Sequence, residues 1–374
     1  MSDQPITYAS AGVDVEAGDR AVALMKASVA QAQRPEVLGG LGGFAGLFDA
    51  SALQRMRRPV LATSTDGVGT KVAIAQAMDI HDTIGFDLVG MVVDDIVVNG
   101  AEPLFMTDYI ACGRVVPERI AAIVSGVAAA CARAGCALVG GETAEHPGLL
   151  GPDEYDIAGA VTGVVDYEDI LGPHRVQAGD VVLGVASSGL HSNGFSLVRR
   201  ICESAGWTYE RHVPEFGRTL GEELLTPTRV YAAQLLSVIR TEGVQMRALS
   251  HVTGGGLAAN LARVLPTGTV ARVDRGTWTP PVVFRVLQEL GAVPQADQER
   301  TLNQGVGFVA VVSAETGERA LQELARVGLD AWALGEVHAE EAYEADRSYE
   351  TVRGAKGVDG GAVQVVGSHP NSRS

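Results

Sequence analysis

Apolar and polar residues along this chain follow two periods, one typical of helices and one typical of strands. Residues 84–99 carry apolar side chains on most faces and end at an Asn-Gly pair, which predicts a largely buried helix. Residues 117–135 predict a second helix, with Pro117 suited to its first position and Gly135 to its C-terminal end. Apolar runs bounded by turn residues predict strands over 60–65, 103–112, 136–143 and 155–165.

Strands and helices alternate again after a hydrophilic joint at residues 166–180. We therefore predict an N-terminal domain over residues 1–170 and a C-terminal α/β domain over residues 171–345, in a protein of the α/β (α+β) class. Residues 346–374 lack periodicity and predict a flexible tail. In the second half, strands are predicted over 181–188, 247–252, 268–274, 305–312 and 331–337, and helices over about 195–205, 228–241, from 257, 282–290 and 315–327.

The charge balance restricts the partners of the chain. Its 374 residues include 45 Asp and Glu against 29 Lys and Arg, a formal charge of −16, and no basic stripe is present. We therefore expect no binding to nucleic acid or to an anionic membrane. Because we find neither a secretory signal nor the ~20 apolar residues of a membrane span, we expect a soluble cytoplasmic protein. The 46 glycines cluster in short runs, which indicates loops where backbone approaches a ligand closely.

Five carboxylates stand in otherwise apolar segments, and two of them are adjacent on the predicted helix 84–99. Adjacent helical residues lie about 100° apart, so at least one of this pair should point inward. A buried carboxylate needs a partner, and oxygen donors without nearby Cys or His favour Mg²⁺ over zinc. Any one of these acids alone is more often structural, and a plain Asp-Gly turn would account for the first. Together, beside Lys71 and several glycine turns, they predict a metal–nucleotide site built from Asp66, Asp94, Asp95, Asp108 and Glu142.

Two glycine-containing turns in the second half lead from a strand into a helix. The turn SSGLHSNG (187–194) contains His191, and SHVTGGG (250–256) places His251 before three glycines. Backbone N–H groups at such turns bind phosphate, so these segments predict a phosphorylated second substrate. For each histidine, a capping or core role is the alternative.

The motifs in this order resemble the phosphoribosylformylglycinamidine cyclo-ligase (AIR synthetase) family. The resemblance runs from residue 7 to about residue 337 and includes STDGVGTK, LVGGETAEHPG, SSGLHSNGFSLVR, LTPTR and HVTGGG. Single blocks such as DGVGTK are shared with related synthetases and kinases, whereas the complete set is specific to the cyclo-ligases. The resemblance implies a two-domain AIR-synthetase-like fold whose N-terminal domain binds ATP and metal. It also implies a homodimer in which the N-terminal sheets pair into a β-barrel.

The reaction implied by the resemblance is an ATP-dependent ring closure in purine biosynthesis, with ATP and Mg²⁺ as cofactors. ATP would phosphorylate the formamide oxygen of formylglycinamidine ribonucleotide, and an amidine nitrogen would then attack that carbon. The products would be 5-aminoimidazole ribonucleotide, ADP and phosphate. The implied catalytic residues are Lys71, His191 and Asp66, and the five acids would hold Mg²⁺. The implied ATP-binding residues are Gly39, Gly40, Gly42, Gly43, Gly67, Gly69, Thr70, Lys71, Asp95, Gly140 and Gly141, and those for the second substrate are His191, Ser192, Asn193, Gly254, Gly255 and Gly256.

One departure from the family pattern and three alternatives stay open at this point. Asp94 stands where the family commonly has asparagine, so it could tighten metal binding or lie outside the ligand set. A selenophosphate synthetase would use an N-terminal cysteine, but no cysteine precedes Cys112. A thiamine-monophosphate kinase would be shorter and would lack LTPTR and ETAEHPG. A non-catalytic nucleotide-binding subunit is the third alternative, and the five acids beside Lys71 argue against it.

Overall fold

The structure, a computed structural model, describes residues 12, 14–40, 43–355 and 357–370. The N-terminal part is built around a four-stranded sheet. Its helices are α1 (Val15–Gln31), α2 (Val72–Met78), α3 (Ile84–Val97) and α4 (Pro117–Ala134), and its strands are β1 (Val37–Leu38), β2 (Leu47–Phe48), β3 (Pro59–Gly67), β4 (Glu102–Cys112), β5 (Ala137–Glu145) and β6 (Tyr155–Asp166).

The two helices predicted in this half are confirmed. Helix α3 is buried on most of its surface, as its all-round apolar sequence requires. Helix α4 has Pro117 in its first turn and ends at Gly135, whose φ of 70° lies in the left-handed region that glycine adopts without strain. Helix α1 was not predicted. Its buried side chains include the small residues Ala21 and Val29, which give only a weak periodic signal.

The N-terminal sheet has the strand order β3-β6-β4-β5, with β4 and β5 parallel and the other pairs antiparallel. Helices α3 and α4 cover one of its faces. Side chains on the other face stay exposed in the single chain, including Leu61 at 63% and Tyr109 at 41%. An antiparallel sheet commonly leaves one face to solvent, but large apolar side chains there indicate a surface that another element covers.

The C-terminal part is built around a seven-stranded sheet of order β10-β12-β7-β13-β11-β15-β14. Neighbouring strands are antiparallel apart from the parallel pair β11 and β15, so this half is of the α+β kind. Its strands are β7 (Val181–Ala186), β8 (His212–Val213), β9 (Arg218–Thr219), β10 (Met246–His251), β11 (Thr269–Asp274), β12 (Val306–Val312), β13 (Ala331–Ala339), β14 (Thr351–Ala355) and β15 (Val358–Val366). Its helices are α5 (Phe195–Ala205), α6 (Leu220–Leu224), α7 (Ala232–Ile239), α8 (Gly256–Ala262), α9 (Val282–Gly291), α10 (Gln295–Thr301) and α11 (Gly317–Arg326).

The prediction of a flexible tail over residues 346–374 is wrong for the part that forms β14 and β15. Strand β15 extends the sheet beside β11, with Val270 opposite Ala362 and Asp274 opposite Val366. Gln364 is 1% exposed, and its amide donates to the carbonyl oxygens of Asp346 and Tyr349 and accepts from the Tyr343 hydroxyl. A buried amide whose donors and acceptor are all used fixes the segment around it.

Hydrophobic packing joins the two sheets through one continuous core. This core includes Leu88 and Val92 of α3 together with Leu235 of α7 and Phe308 of β12. A second, smaller core lies under α8, on the other face of the C-terminal sheet. Within the described ranges, no helix combines the length and the apolar character that crossing a membrane requires.

Candidate active site

A buried ion pair in the N-terminal half is hydrogen-bonded to two loops of the C-terminal half. The ammonium group of Lys71 lies 2.7 Å from Oδ1 of Asp87, and both side chains are 0% exposed. The same ammonium donates to the carbonyl oxygens of His191, at 2.9 Å, and Thr226, at 2.8 Å. Burial lowers the pKa of Lys71 and raises the pKa of Asp87, while the opposite charge of each partner counteracts both shifts. Lys71 and its partners therefore hold three segments in contact: the turn after β3, the turn that contains His191 and the loop that contains Thr226.

Lys71 differs from its predicted role as a phosphate contact. Its three N–H donors already have three protein acceptors, and its side chain has no exposed surface. Asp87 also accepts from the backbone N–H of Thr228 at 3.0 Å and from its hydroxyl at 2.5 Å. Asp87 is not among the predicted site residues, although it stands two helical turns before Asp94 in the sequence. The LTPTR block contains Thr226 and Thr228, and it is the sequence feature that could have indicated these contacts.

Hydrogen bonds within the turn at residues 187–194, and from this turn to the N-terminal half, fix its conformation. His191 has a φ of 61° and is 2% exposed, and its Nε2 accepts from the backbone N–H of Ser188 at 3.1 Å. Burial, with His251 and Lys71 nearby, lowers the pKa of His191 well below its usual value, so the ring is neutral. The Ser192 hydroxyl donates to the carbonyl oxygen of Val68 at 2.7 Å. Among these predicted substrate residues, His191 and Ser192 thus shape the turn.

The two glycine-containing turns lie side by side. A Cβ placed on Gly254 would lie 3.4 Å from Oδ1 of Asn193. Gly255 and Gly256 have φ values of 106° and 73°, which side chains other than glycine rarely adopt. Of the residues predicted to face the second substrate, Asn193 and Gly254 therefore lie next to each other, whereas Gly256 packs against the backbone of Glu299.

Asp95 and His251 form a second link between the halves. Oδ1 of Asp95 lies 2.9 Å from Nδ1 of His251, and the histidine ring stacks on Phe308 with centroids 5.0 Å apart. The Asp95 side chain is 42% exposed, whereas that of His251 is 3% exposed. Both residues line a cleft of about 470 Å³ between the halves, which also contains Asn260 and Arg263. Sequence reasoning singled out each residue, but the pairing joins positions 156 residues apart.

Asp94 points the opposite way from Asp95, as expected for adjacent acids on a buried helix. It is 0% exposed, and both of its oxygens accept from the backbone N–H of Tyr231, at 3.1 and 3.2 Å. Burial raises the pKa of Asp94 to about 7. Since no open surface reaches this carboxyl, the structure places it at the start of α7 and away from a ligand.

The remaining acids lie at one end of the N-terminal sheet but do not form a cluster. Asp66 and Asp108 both lie opposite Gly159 of the central strand β6, one on each side, which separates their backbones by two strand spacings, about 10 Å. Glu142 is opposite Tyr109, the next residue along β4, and so faces the other side of the sheet. Within the described part of the chain, no group of three or more His, Cys, Asp or Glu is arranged to hold a metal ion. The expectation that all five acids converge is therefore not met within a single chain.

Asp108 lines a cavity together with the segment that holds the predicted ATP-binding glycines 39–43, here called the glycine loop. It is 9% exposed, and burial without a nearby cation raises its pKa to about 7. A Cβ on Gly141 would overlap the Asp108 carboxylate, so any other residue there would force that side chain to move. Asp108 and Glu142 line a cavity of about 930 Å³ that is also lined by Gly40, Gly43, Gly140 and Gly141. Gly42 lies outside the described residues.

The other predicted nucleotide contacts lie apart from this cavity. Asp66 is exposed at the end of β3, where its Oδ1 accepts from the backbone N–H of Gly67 at 2.7 Å. Gly69 is exposed with a φ of 76°, and the hydroxyl of Thr70 lies 3.1 Å from that of Ser196. Gly39 is exposed and directly precedes Gly40. The structure thus distributes the predicted ATP residues among this cavity, the turn after β3 and the cleft that contains Asp95.

Comparisons with known proteins agree with this architecture. Residues 48–165 match the family model described as AIR synthase related protein, N-terminal domain, and residues 177–347 match its C-terminal domain. Strands β14 and β15 lie beyond the last matched residue. A phosphoribosylformylglycinamidine cyclo-ligase of Geobacillus kaustophilus (strain HTA426) is 52% identical over 331 residues, which are 88% of this chain and 95% of that protein. Another from Sorangium cellulosum (strain So ce56) is 50% identical over 333 residues, 89% and 95% of the two chains.

Solved structures of more distant proteins share the fold. A thiamine-monophosphate kinase from Stenotrophomonas maltophilia K279a aligns with a TM-score of 0.61 at 18% identity, over 93% of this chain and 96% of that one. The hydrogenase maturation protein HypE in complex with ATP aligns with a TM-score of 0.58 at 18% identity, over 94% and 96%. At these identities the likeness establishes the fold alone.

Proposed function

Because the chain belongs to the phosphoribosylformylglycinamidine cyclo-ligase family, we propose that it closes the imidazole ring of 5-aminoimidazole ribonucleotide in purine biosynthesis. ATP phosphorylates the formamide oxygen of formylglycinamidine ribonucleotide, and an amidine nitrogen displaces phosphate at that carbon. This proposal rests on sequence identities of 52% and 50% to two cyclo-ligases, over nearly their full length. The protein's task in such a reaction is to position the reactants and stabilise developing charge.

We propose that ATP occupies the cavity between the glycine loop and the end of β4 and β5. Its volume of about 930 Å³ lies within the usual range for ligand pockets. Glycines at positions 40, 43, 140 and 141 let backbone approach phosphate without side-chain interference. HypE, which shares the fold of this chain, has been solved in complex with ATP, and this supports ATP as a ligand of the chain. Gly39 and Gly42, neighbours of the lining glycines in the chain, stay proposed contacts, whereas Gly67, Gly69 and Thr70 do not line this cavity.

The donor set suits Mg²⁺ carried by nucleotide phosphates. Such an ion needs only one or two protein carboxylates, so a preformed cluster of three is unnecessary. Asp108 and Glu142 line the ATP cavity, and the raised pKa of Asp108 reflects a buried carboxyl with no cationic neighbour. When bound, the ion would neutralise phosphate charge. We propose Asp108 as its ligand. Glu142, which faces the other side of the sheet, and Asp66 at the end of β3 stay further candidates. Asp94 is left out because the backbone N–H of Tyr231 occupies its oxygens.

We assign the second substrate to the cleft between the halves. Arg263 supplies a positive charge there, and His251, which also lines the cleft, is followed directly by the glycine-containing turn. Asp95 accepts from Nδ1 of His251, which leaves Nε2 of that ring to accept a proton from the attacking amidine nitrogen. His251 is thus the proposed base. Lys71 and His191 hold the loops in position.

A second copy of the chain is proposed to cover the exposed face of the N-terminal sheet. Leu61 and Tyr109 place apolar surface there that a monomer would leave in water. Symmetric pairing of the two sheets would bury both faces and give the barrel implied by the family.

The proposal is tested by incubating the protein with formylglycinamidine ribonucleotide and MgATP and by following ADP and aminoimidazole product together. Equal amounts of both products are expected. Loss of activity in Asp108→Asn and Glu142→Gln, with a raised Mg²⁺ requirement, would support the metal assignment, and Asp156→Asn on β6 is the matched control because that side chain is exposed outside the cavity. Release of ADP without aminoimidazole, or no turnover, would refute the proposed reaction.

A further inference from the structure

A separate cavity of about 650 Å³ lies between α8, α10 and the C-terminal hairpin β14–β15. Of the residues assigned above, only Gly255 lines it, within the described part of the chain. One wall is formed by Ser348, Tyr349 and Val352 of the C-terminal segment, which lies beyond the family match at residue 347. The cavity is therefore a feature that this hairpin completes and that the ring-closing reaction does not use.

The shape and chemistry of the walls favour a flat ring. Trp278, Leu257 and Val365 line the cavity with apolar surface, and Tyr349 adds a second aromatic ring to the lining. The indole Nε1 of Trp278 donates to the carbonyl oxygen of Gln304 at 3.0 Å, which fixes the ring plane. Aromatic walls of fixed orientation favour offset or edge contacts with another planar ring. The volume is suited to a ligand of nucleoside size.

The charged side chains in the cavity wall are already paired. Arg275 binds Glu299 through two contacts of 2.7 Å, and Arg300 lies 2.6 Å from Glu350. A charged ligand would have to compete with one of these pairs for its partner. A neutral ligand leaves both pairs intact, and this favours an uncharged occupant.

One buried hydrogen-bond donor in the wall lacks a partner. Gln304 is 6% exposed, and its side-chain Nε2 has no acceptor in the described structure. The residue also has a φ of 52°, a conformation that side chains other than glycine adopt rarely. Leaving a buried amide donor unsatisfied is costly, so an acceptor from a ligand would stabilise this arrangement.

We propose that this cavity binds a neutral, planar heteroaromatic molecule of nucleoside size, with its ring against Trp278 and an acceptor atom facing Gln304. Binding there would also contact Gly255 and so reach the turn that borders the substrate cleft. The inference rests on the cavity alone and stands independently of the proposed ring closure.

The test uses adenosine and uridine as probes in calorimetric titrations of the full-length protein, with a non-hydrolysable ATP analogue and Mg²⁺ present to fill the nucleotide site. One equivalent of at least one nucleoside is expected to bind. Ala296→Trp projects from α10 into the cavity from an exposed position and should weaken binding roughly tenfold or more. Ala325→Trp, exposed on α11 and outside the cavity, is the matched control and should change affinity by less than about twofold.

Gln304→Asn provides a second variant, because asparagine tolerates the left-handed conformation but its shorter amide does not reach as far. Affinity should fall roughly fivefold while the thermal midpoint of the free protein stays close to that of the parent. Failure of both nucleosides to bind at millimolar concentration would overturn the proposal. Equal binding to both tryptophan variants, or displacement by the ATP analogue, would overturn it as well.

Discussion

The ammonium group of Lys71 lies 2.7 Å from the carboxylate of Asp87, and neither side chain reaches solvent. This ion pair fixes the distance between the strand-to-helix turn after β3 and the two loops of the C-terminal half that supply the carbonyl acceptors of His191 and Thr226. A buried pair adds little net stability over an apolar replacement, but losing one partner leaves an uncompensated charge. The main effect of the ion pair is therefore to hold these segments in their relative positions.

Lys71→Met should lower the free energy of unfolding by about 3–5 kcal/mol, because Asp87 then stays buried without its counter-charge. Urea unfolding measures this loss, and the double variant with Asp87→Leu should recover part of it. Lys26→Met, at an exposed position on α1, is the control and should change stability by less than about 0.5 kcal/mol. A Lys71→Met protein of unchanged stability that has lost only activity would contradict the positional role.

Asp108 should make stability depend on pH. Burial raises its pKa from 3.8 to about 7, so the folded state binds its proton more tightly than the unfolded state. This contribution is complete below the ordinary pKa and is lost as pH rises towards 7, by up to ~1.4 kcal/mol per pH unit. Asp108→Asn should flatten the decline in stability between about pH 4 and about pH 7, measured by urea unfolding.

The same measurement on Asp156→Asn, an exposed acid on the neighbouring strand, provides the comparison. Its pH dependence should match that of the parent protein. Asp94 also has a raised pKa of about 7 and should leave a residual slope in the Asp108 variant. An identical slope in Asp108→Asn and the parent would show that Asp108 is not the titrating group.

Asp95→Asn should reduce kcat by roughly a hundredfold or more with little change in KM, because the amide no longer orients His251 as a proton acceptor. The double variant with His251→Asn should be no slower than His251→Asn alone, since the two residues act as a unit. Steady-state ADP release measures both effects. Asp82→Asn, exposed before α3, is the control, and additive losses in the double variant would argue against the pairing.

Leu61→Glu should dissociate the proposed dimer, because it places two charges in the apolar face where the sheets meet. The dissociation constant should rise by roughly a hundredfold or more, as measured by sedimentation velocity over a concentration series. Leu149→Glu, at a side chain 82% exposed outside the sheet, should leave the mass unchanged. A parent protein that sediments as a monomer would refute the dimer itself.

Much of the fold could be predicted because local pattern specifies it. Helices α3 and α4 follow from their apolar period and their proline and glycine ends, and α5 begins and ends where the sequence predicted. Strand β15 could not be recognised from its own composition, since its burial depends on pairing with β11, about ninety residues earlier. Its stretch Ala-Val-Gln-Val-Val was the signal that could have indicated a strand.

The sequence by itself determined the order of elements, the segments that carry the chemistry and the family to which they belong, because each of these is contained in short stretches of neighbouring residues. The tertiary structure decided which of those residues meet. Lys71 takes its acceptors from positions 16, 120 and 155 residues away, and Asp95 finds His251 across 156 residues. Adjacent Asp94 and Asp95 look alike in sequence, but packing buries the first against α7 and leaves the second open to the cleft. Long-range packing sets burial and therefore charge state, and no local pattern encodes it.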